Sequence, residues 1–452
     1  MSITQFIREH DVQAIHNYLS SMSGYEIAVM CSQKNLEELK LIFICLSPKL
    51  AVDTFDYLPL RTQKNLLRML PTVQVAAMLA EMPPDDRTQL LEELPKKVVD
   101  EYLNLLPQAE RIVSEKLLKY PEDSLGRLMT TDYLTVRMNW TVAQALDHIR
   151  LYGHDSETID VIYVVDDHNI LLDDIPIKEF LFVPREFTVA QIADNKFIAL
   201  SVDATAEQVI NVFKEHNRVA LPVINAAGEL LGIVTIDDVF RLASERTTAK
   251  MQKVGGMEAL DEPYMETPFF ELMKKRARWL VLLFLGEMFT ATAMGYFEVE
   301  ISKAVVLALF LPLIISSGGN AGSQSSTLII RAMALGEIKL RDWWRIMRRE
   351  IPSGIFLGLV LGLVGLARVT IWSLFSNIYG DHWFMIALTI FTALIGVVLW
   401  GSLTGSMLPF ILRRLGADPA TSSAPLVATL VDVVGIVIYF TIALVILKGT
   451  LL

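Results

Sequence analysis

The stretch SAPLVATLVDVVGIVIYFTIALVIL, Ser423–Leu447, is long and apolar enough to cross a bilayer as a helix, since a span needs about 20 residues. Its only charged residue is Asp432. A carboxylate near the middle of a membrane helix costs roughly 2.5 to 3.5 kcal/mol, so it is retained where a partner, water or an ion compensates the charge. We therefore predict a membrane helix with a cation site at Asp432.

Apolar segments of similar length precede this stretch. Together with Ser423–Leu447 they predict five membrane helices. The four earlier segments are about Trp279–Phe297, Ile301–Leu335 with an interruption, Pro352–Ser376 and Trp383–Leu412.

Basic residues predict how these helices cross the membrane. They cluster before the first span, after the second and between the fourth and fifth, whereas the opposite loops hold only Lys303 and Lys448. The positive-inside rule then places the N terminus in the cytoplasm and the C terminus outside. The clustered residues are Lys274, Lys275, Arg276, Arg278, Arg331, Lys339, Arg341, Arg345, Arg348, Arg349, Arg413 and Arg414.

The second apolar segment contains SSGGNAGSQSS, Ser316–Ser326, which predicts a break in the helix. Small and polar residues at membrane depth are tolerated where they meet another helix or line a wet cavity. Asn320 and Gln324 could face such a cavity, and close packing by small residues is the compatible alternative. Glu298 and Glu300 could concentrate cations at an outer mouth, although an exposed acidic loop is the simpler interpretation.

Charge is distributed unevenly along the 452 residues. Nine of the 51 acidic and eleven of the 40 basic residues follow Arg278, which leaves a net charge of −13 on the first 278 residues. An acidic soluble part argues against nucleic acid and favours cations as partners. Cys31 and Cys45 lack metal-ligand spacing and are interpreted as reduced core residues. The start of the chain lacks the apolar core of a signal peptide, so we expect the soluble part in the cytoplasm.

Residues 1–127 contain prolines at intervals of eleven and then twelve residues, which is an internal repeat. Because proline suits the first turn of a helix, we predict a stack of short helices, an α-solenoid. Asp85 and Asp86 begin one of these helices. They either cap it and lie on a solvated face, or they belong to a divalent-cation site shared with another domain. The repeated prolines are Pro48, Pro59, Pro71, Pro83, Pro95 and Pro107.

Residues 128–190 and 191–246 are a tandem repeat. Val161–Phe180 matches Ala220–Val239 at an offset of 59, and a Thr-led amphipathic helix precedes each copy. This pattern resembles a pair of CBS modules of α/β fold. In the second copy, Gly232, Thr235 and Asp238 resemble the adenosine-binding signature of those modules, which implies ATP as a ligand. The first copy has Asp173, Pro176 and Glu179 instead, and a pairing domain without a ligand is the alternative. Asp237 and Asp238 could equally serve a cation.

Residues 247–278 are predicted to form a connecting helix between the soluble part and the first span. This segment carries Glu258, Asp261, Glu262 and Glu266. Such a charge run usually forms a solvated face. Carboxylates that repel one another, and that a cation then bridges, would instead form a switch.

The whole chain resembles the MgtE family of magnesium channels. The resemblance rests on the proline-punctuated helices, the CBS pair, and the motifs FEVEISKAVVLALFLPLI, GGNAGSQSSTLIIRAMALGEI and TLVDVVG. It implies a homodimer in a bacterial inner membrane, selective for Mg²⁺ and closed when cytosolic Mg²⁺ is high, with a five-helix transmembrane domain at 279–452. By motif position, Asp432 resembles the pore carboxylate, assisted by the backbone near Ala428. The regulatory Mg²⁺ sites are expected among Asp85, Asp86, Asp237, Asp238, Glu245, Glu258, Asp261 and Glu262.

Other function classes fit the sequence less well. A membrane hydrolase is not indicated, because the chain has no HExxH motif and the membrane half contains a single histidine, His382. We therefore do not expect an enzyme. A CBS-regulated secondary transporter of Co²⁺ or Mn²⁺, coupled to H⁺ or Na⁺, is the alternative to a Mg²⁺ channel.

Overall fold

A computed structural model describes residues 3–9, 11–32, 34–122, 124–376, 378–421 and 423–451. The chain forms two compact units, residues 1–245 and 246–452.

The first part of unit one is an array of short helices, as the proline repeat predicts. The prediction placed each proline in the first helical turn. Five of the six instead precede the first helical residue, because φ near −60° with extended ψ suits the N-cap position. Pro48 alone of the six occupies the first turn. The helices are α1 (Ile3–Glu9), α2 (Val12–Leu19), α3 (Gly24–Cys31), α4 (Leu36–Cys45), α5 (Pro48–Asp56), α6 (Leu60–Met69), α7 (Thr72–Glu81), α8 (Pro84–Glu92), α9 (Lys96–Leu103), α10 (Gln108–Leu117) and α11 (Leu125–Leu128).

Alternate helices of this array pack on each other, with α3 on α5, α5 on α7, and α2 and α6 on α4. Apolar residues between the prolines, such as Leu66, Val75 and Met78, form the core. Cys31 and Cys45 are buried free thiols, as expected. Arg87 is also buried, and it donates hydrogen bonds to Ser114 Oγ and to the carbonyl of Leu79, which ties α8 to α10 and α7.

The rest of unit one contains the predicted repeat. Each copy has a parallel strand pair followed by an antiparallel one, and strands β5 and β6 lie 59 residues after β2 and β3. Tyr163 of the first sheet and Ile233 of the second contribute to one apolar cluster between the copies. The elements are β1 (Thr135–Val136), α12 (Val142–Tyr152), β2 (Val161–Val165), β3 (Leu171–Pro176), α13 (Ile177–Phe182), α14 (Val189–Ile192), β4 (Leu200–Ser201), α15 (Ala206–His216), β5 (Ala220–Ile224), β6 (Leu230–Thr235) and α16 (Ile236–Val254).

The connecting segment 247–278 is not one helix, contrary to the expectation. It contains the end of α16, an irregular stretch at 255–268 and the start of α17 (Phe269–Tyr296). Gly256 has a φ of 75°, which is the left-handed conformation that ends helices, and Pro268 begins the next one. The boundaries 246/247 and 278/279 therefore fall inside continuous helices.

Unit two contains the five predicted spans. Besides α17, its helices are α18 (Glu298–Lys303), α19 (Val305–Ala308), α20 (Leu311–Ala334), α21 (Trp343–Phe375), α22 (Trp383–Arg414) and α23 (Ala424–Leu447). The third span begins at Trp343 rather than Pro352, which lies inside α21.

The predicted break at Ser316–Ser326 is wrong, because α20 is continuous through it and the interruption lies earlier, between α18, α19 and α20. The small residues serve close packing. A Cβ added to Gly401 would lie 2.2 Å from the carbonyl oxygen of Gly318, and one added to Gly405 would lie 2.0 Å from that of Gly322. Backbones of α20 and α22 therefore touch at both positions, as small residues permit in membrane helices.

A second glycine stripe, on α21, packs against α22. A Cβ at Gly354, Gly358 or Gly362 would lie 2.6 to 3.0 Å from atoms of Leu399, Ile395 or Phe391. Helices α20, α21 and α23 all contact α22, so α22 is the central helix of unit two.

Candidate metal centres

Asp432 lies in the third turn of α23 and is half-buried. Its carboxyl group lies beside that of Glu287 on α17, close enough for the two side chains to interact directly. Glu287 also accepts a hydrogen bond from Thr290 Oγ1 at 3.2 Å. Two carboxylates in contact repel each other unless a proton or a cation lies between them, so this arrangement suits a cation.

Sequence reasoning missed Glu287. The signal was present, because Glu287 lies within an apolar span and the energetic argument used for Asp432 applies to it equally. What brings the two together is the close approach of α17 and α23. A Cβ added to Gly286 would lie 2.7 Å from Thr429 Cγ2, so only glycine allows this contact without a shift.

Ala428, one turn before Asp432, is half-buried. A Cβ added to Gly319 of α20 would be in van der Waals contact with the Ala428 Cβ, at 3.5 Å. Ser323 Oγ of α20 donates to the carbonyl of Ala424 at 3.3 Å. The glycine-rich motif thus packs beside the first turns of α23.

Two other polar residues of α20 lie away from this contact. Asn320 and Gln324 share an exposed face of the helix within one chain. Glu298 and Glu300 lie on the short helix α18 between the first and second spans, where Glu298 is exposed and Glu300 half-exposed. These placements leave all four residues accessible to solvent or to another chain.

A group of carboxylates in unit one could hold a divalent cation. One oxygen each from Asp85, Asp86 and Asp238 lie within 4.8 Å of one another, and this is the one such group among the residues that the structure describes. Asp85 and Asp86 lie in the first turn of α8, and Asp238 in the first turn of α16. The sequence predicted these residues, and the fold brings the two helices together. Three carboxylates provide the oxygen ligands that Mg²⁺ prefers.

Asp85 is the buried member of the group, at 7% exposure. Within the described residues, its Oδ1 atom has no hydrogen-bond partner. It lines a small cavity together with Asp238, Arg241 and Glu245. A buried, unpaired carboxylate oxygen is costly, which is consistent with a site for a cation. Asp237 is exposed beside this cavity.

Arg241, which the sequence analysis did not single out, is the basic partner of the group. Its Nη2 atom lies 3.1 Å from Asp86 Oδ1 and 2.8 Å from Asp238 Oδ1, and its Nη1 atom lies 3.4 Å from Asp56 Oδ1. One guanidinium therefore connects α5, α8 and α16.

The pKa values of all three carboxylates in this group are raised above their ordinary values. Burial, with the charges of Asp86 and Asp238, raises the pKa of Asp85 well above its ordinary value. Burial and Asp56 raise the pKa of Asp86, although Arg241 opposes them. Burial also raises the pKa of Asp238 against its hydrogen bond from Thr235. A single guanidinium is therefore insufficient to compensate the negative charge.

The residues predicted to bind adenosine have other contacts. Thr235 Oγ1 donates to Asp238 Oδ2 at 2.7 Å, and Asp238 faces the acidic group. A Cβ at Gly232 would lie 2.6 Å from the carbonyl oxygen of Thr130, so this glycine permits a close backbone approach. In the first copy, Asp173 accepts the N–H groups of Asp194 and Asn195. Asp238 therefore contacts the hydroxyl of Thr235 and also belongs to the acidic group.

The acidic residues of the connecting segment pair with bases on α17. Arg278 Nη1 lies 3.0 Å from Glu258 Oε1, and Lys275 Nζ lies 2.6 Å from Asp261 Oδ2. Lys253 of α16 pairs with Asp418, before the fifth span, at 2.8 Å. Glu262 is half-buried nearby in sequence, in the irregular stretch. Ion pairs within unit two therefore engage Glu258 and Asp261.

Comparisons with known proteins identify the family. Family models for the MgtE intracellular N domain, the CBS domain and the MgtE divalent cation transporter match residues 22–123, 125–173 with 189–245, and 311–442, respectively. The magnesium transporter MgtE of Thermus thermophilus is 32% identical over 99% of this chain and 98% of its own length. The chain belongs to the MgtE family.

Two further MgtE relatives are named magnesium transporters. That of Enterococcus faecalis is 31% identical over 73% of this chain and 70% of its own length. That of Bacillus subtilis is 25% identical over 98% of this chain and 96% of its own. These matches confirm the predicted combination of N domain, CBS pair and membrane helices, which makes this a multi-pass membrane protein of a transporter family rather than of an enzyme family.

Two solved structures are similar to about half of this chain. The cytosolic domain of the Mg²⁺ channel MgtE in complex with ATP has a TM-score of 0.51 and 28% identity, and covers 53% of this chain and 98% of that one. The soluble part of a magnesium transporter has the same TM-score, 26% identity, and covers 54% of this chain and 96% of that one. The MgtE transporter model includes Asp432 and Ala428 but not Glu287.

Proposed function

We propose that this protein is a channel that conducts Mg²⁺ across the membrane past Asp432. The observation that carries the proposal is a carboxylate, Asp432, within a span of an MgtE transporter domain. The relatives named magnesium transporters favour Mg²⁺ over Co²⁺ or Mn²⁺ as the ion.

The chemistry of Mg²⁺ supports a pore shared by two chains. Mg²⁺ dehydrates reluctantly and is usually held through retained water by one or two carboxylates. A two-fold axis through the pore would present Asp432 twice and could hold a hydrated ion. The backbone near Ala428 would add acceptors one turn away. This proposal requires a homodimer, whose mass in detergent would be about twice 50.7 kDa.

Regulation by cytosolic Mg²⁺ is the second part of the proposal. Asp85, Asp86 and Asp238 would bind the ion, with Asp237 and Glu245 adding charge at the rim. Cation binding would stabilise the contact between α8 and α16 and thereby bias the chain toward one conformation. Glu258, Asp261 and Glu262 would contribute through the connecting segment. Glu298 and Glu300 would attract cations at the opposite mouth.

The remaining parts of the proposal concern topology and nucleotide. The soluble domains would lie in the cytoplasm and the C terminus outside, with the clustered basic residues on the cytoplasmic side. The domains would be 1–127, 128–190, 191–246, 247–278 and 279–452. ATP would bind the CBS pair, as supported by the relative solved in complex with ATP.

Flux into liposomes tests the pore. Asp432→Asn removes the charge with little change in volume, and we expect Mg²⁺ uptake to fall by about ten-fold or more, since an ion in the pore loses a direct charge partner. Asp381→Asn, in the loop between the third and fourth spans, is the matched control and should conduct normally. Unchanged uptake by Asp432→Asn would refute the pore assignment. Strict coupling of uptake to H⁺ or Na⁺ would refute a channel in favour of a secondary transporter.

A further inference from the structure

The guanidinium of Arg241 occupies the position that a bridging cation would take between two of the carboxylates in unit one. The same atom, Nη2, contacts Asp86 Oδ1 at 3.1 Å and Asp238 Oδ1 at 2.8 Å. Both residues belong to the group of carboxylates that could hold a divalent ion. An ion placed between Asp86 and Asp238 would have to displace Nη2, because Mg²⁺ needs its ligands at about 2.0 to 2.1 Å.

We propose that the side chain of Arg241 takes the place of the regulatory cation. Because it is covalently part of α16, its guanidinium holds α8 and α5 against that helix without a divalent ion. This inference rests on the proposed regulation by Mg²⁺ and deepens it. It predicts that α5 and α8 stay packed against α16 at low Mg²⁺ and that the ion adds only a small further stabilisation to this contact, so the larger part of the proposed Mg²⁺ response is expected at the connecting segment.

The connection that Arg241 makes is between segments far apart in sequence. Asp56 ends α5, Asp86 begins α8, and Arg241 lies one turn into α16 after Asp238. Without Arg241, the negative charges at these helix ends would lie close together without its compensating positive charge. Charge-assisted hydrogen bonds of this kind are stronger than neutral ones, and a planar guanidinium can serve several carboxylates at once.

The environment of Arg241 is consistent with this role. Burial opposes its charge, yet Asp86, Asp238 and Asp56 raise its pKa, so it is a permanent cation. Its side chain is 35% exposed, and it lines a small cavity together with Asp85, whose Oδ1 atom has no hydrogen-bond partner within the described residues. The carboxylates around Arg241 therefore outnumber its single positive charge. If Arg241 is removed, we expect a divalent ion to bind among these carboxylates.

Hydrogen–deuterium exchange of the full-length protein in detergent, over a MgCl₂ titration, tests the inference. In wild type, we expect peptides from α8 (Pro84–Glu92) and from the start of α16 to be protected without Mg²⁺ and to change little with it. In Arg241→Gln, exchange without Mg²⁺ should be about ten-fold faster or more, since the charge-assisted bonds to Asp56 and Asp86 on the other two helices are lost, and added Mg²⁺ should restore protection. Arg241→Lys keeps the charge but loses the planar fork, and should lie between the two.

Two controls make the result decisive. Arg150→Gln removes an exposed arginine paired with Asp147 on α12, and should behave as wild type. Peptides from α3 and α4 report whether a variant has unfolded, in which case Arg241→Lys carries the test. If Arg241→Gln is as protected as wild type without Mg²⁺, or if Mg²⁺ does not restore protection, the inference is overturned. Neither readout uses transport. If the Asp432→Asn flux assay refuted the pore assignment, the exchange result for Arg241 would still be valid, and a failed exchange test would not affect the pore assignment.

Discussion

Glu287 of the first span and Asp432 of the fifth are in side-chain contact. The two carboxylates are far apart in sequence, on the first and the last span, and a glycine, Gly286, allows their helices to approach. Such a pair concentrates negative charge where the proposed ion passes. Under the proposed function, each chain would therefore offer two carboxylates to Mg²⁺ rather than one.

The first prediction concerns Glu287 itself. Glu287→Gln should reduce Mg²⁺ uptake into liposomes roughly ten-fold, because the ion loses about 1.4 kcal/mol of attraction from one nearby carboxylate. Glu337→Gln, an exposed acidic residue after the second span, is the control and should conduct as wild type. Equal uptake by Glu287→Gln and wild type would show that Glu287 does not face the ion.

The second prediction concerns the contact between α20 and α22. In Gly405→Ala the new Cβ would lie 2.0 Å from the carbonyl oxygen of Gly322, so the two backbones must separate. We expect a loss of about 1 to 3 kcal/mol of stability, as overpacking usually costs, seen as a lower melting temperature in detergent. Gly295→Ala is the matched control, because a Cβ there meets nothing within 4 Å. A Gly405→Ala variant as stable as Gly295→Ala would contradict the packing argument.

The third prediction is a pH dependence in the CBS pair. Burial raises the pKa of Asp174 to about 6 against the attraction of Arg218. Its side chain is 1% exposed and lies 3.5 Å from Arg218. A carboxyl whose pKa is higher in the folded state than the usual 3.8 binds its proton more tightly when folded. Stability should therefore fall as pH rises from about 4 to about 6, and then level off.

Thermal melting of the full-length protein between pH 4 and pH 7 measures this slope. Asp174→Asn should flatten it, because the titrating group is gone. Asp167→Asn, at an exposed position just after β2, should keep the slope. A slope that persists unchanged in Asp174→Asn would assign it to other groups.

The fourth prediction concerns the connecting segment. The double variant Glu258→Gln, Asp261→Asn removes carboxylates that pair with Arg278 and Lys275. We expect flux through it to be inhibited several-fold less by internal Mg²⁺, because fewer acidic groups remain for the ion to bridge. Glu186→Gln, an exposed change in the first CBS module, is the control for the inhibition assay. Inhibition identical to wild type would remove these two residues from the gate.

Much of the architecture was predictable because its signals are local. Prolines at regular intervals mark helix starts, since a fixed φ fits only a few backbone positions, and the observed error was a shift of one residue. Apolar runs of membrane length predicted all five spans. The 59-residue repeat predicted the paired strands of both copies. Asp85, Asp86 and Asp238 were among the candidates that the family resemblance offered for a cation site, and the structure brings their carboxylates together.

Other features could not be predicted from local pattern. Glycines and serines at Ser316–Ser326 indicated a broken helix, but their neighbours on α22 make them a packing surface. The connecting segment, expected to be one helix, is interrupted at 255–268. Glu287 and Arg241 carried no distinguishing motif, and their importance follows from which carboxylates lie beside them.

The sequence by itself determined the domain order, the spans and the costly carboxylate Asp432, because hydrophobic length, proline and repeat spacing act along the chain. Only the tertiary structure decided that Glu287 meets Asp432 and that Arg241 lies among Asp56, Asp86 and Asp238. The physical reason is that electrostatic contacts depend on distances between residues remote in sequence. Those distances are set by helix packing, and at Gly286 by the absence of a single Cβ atom.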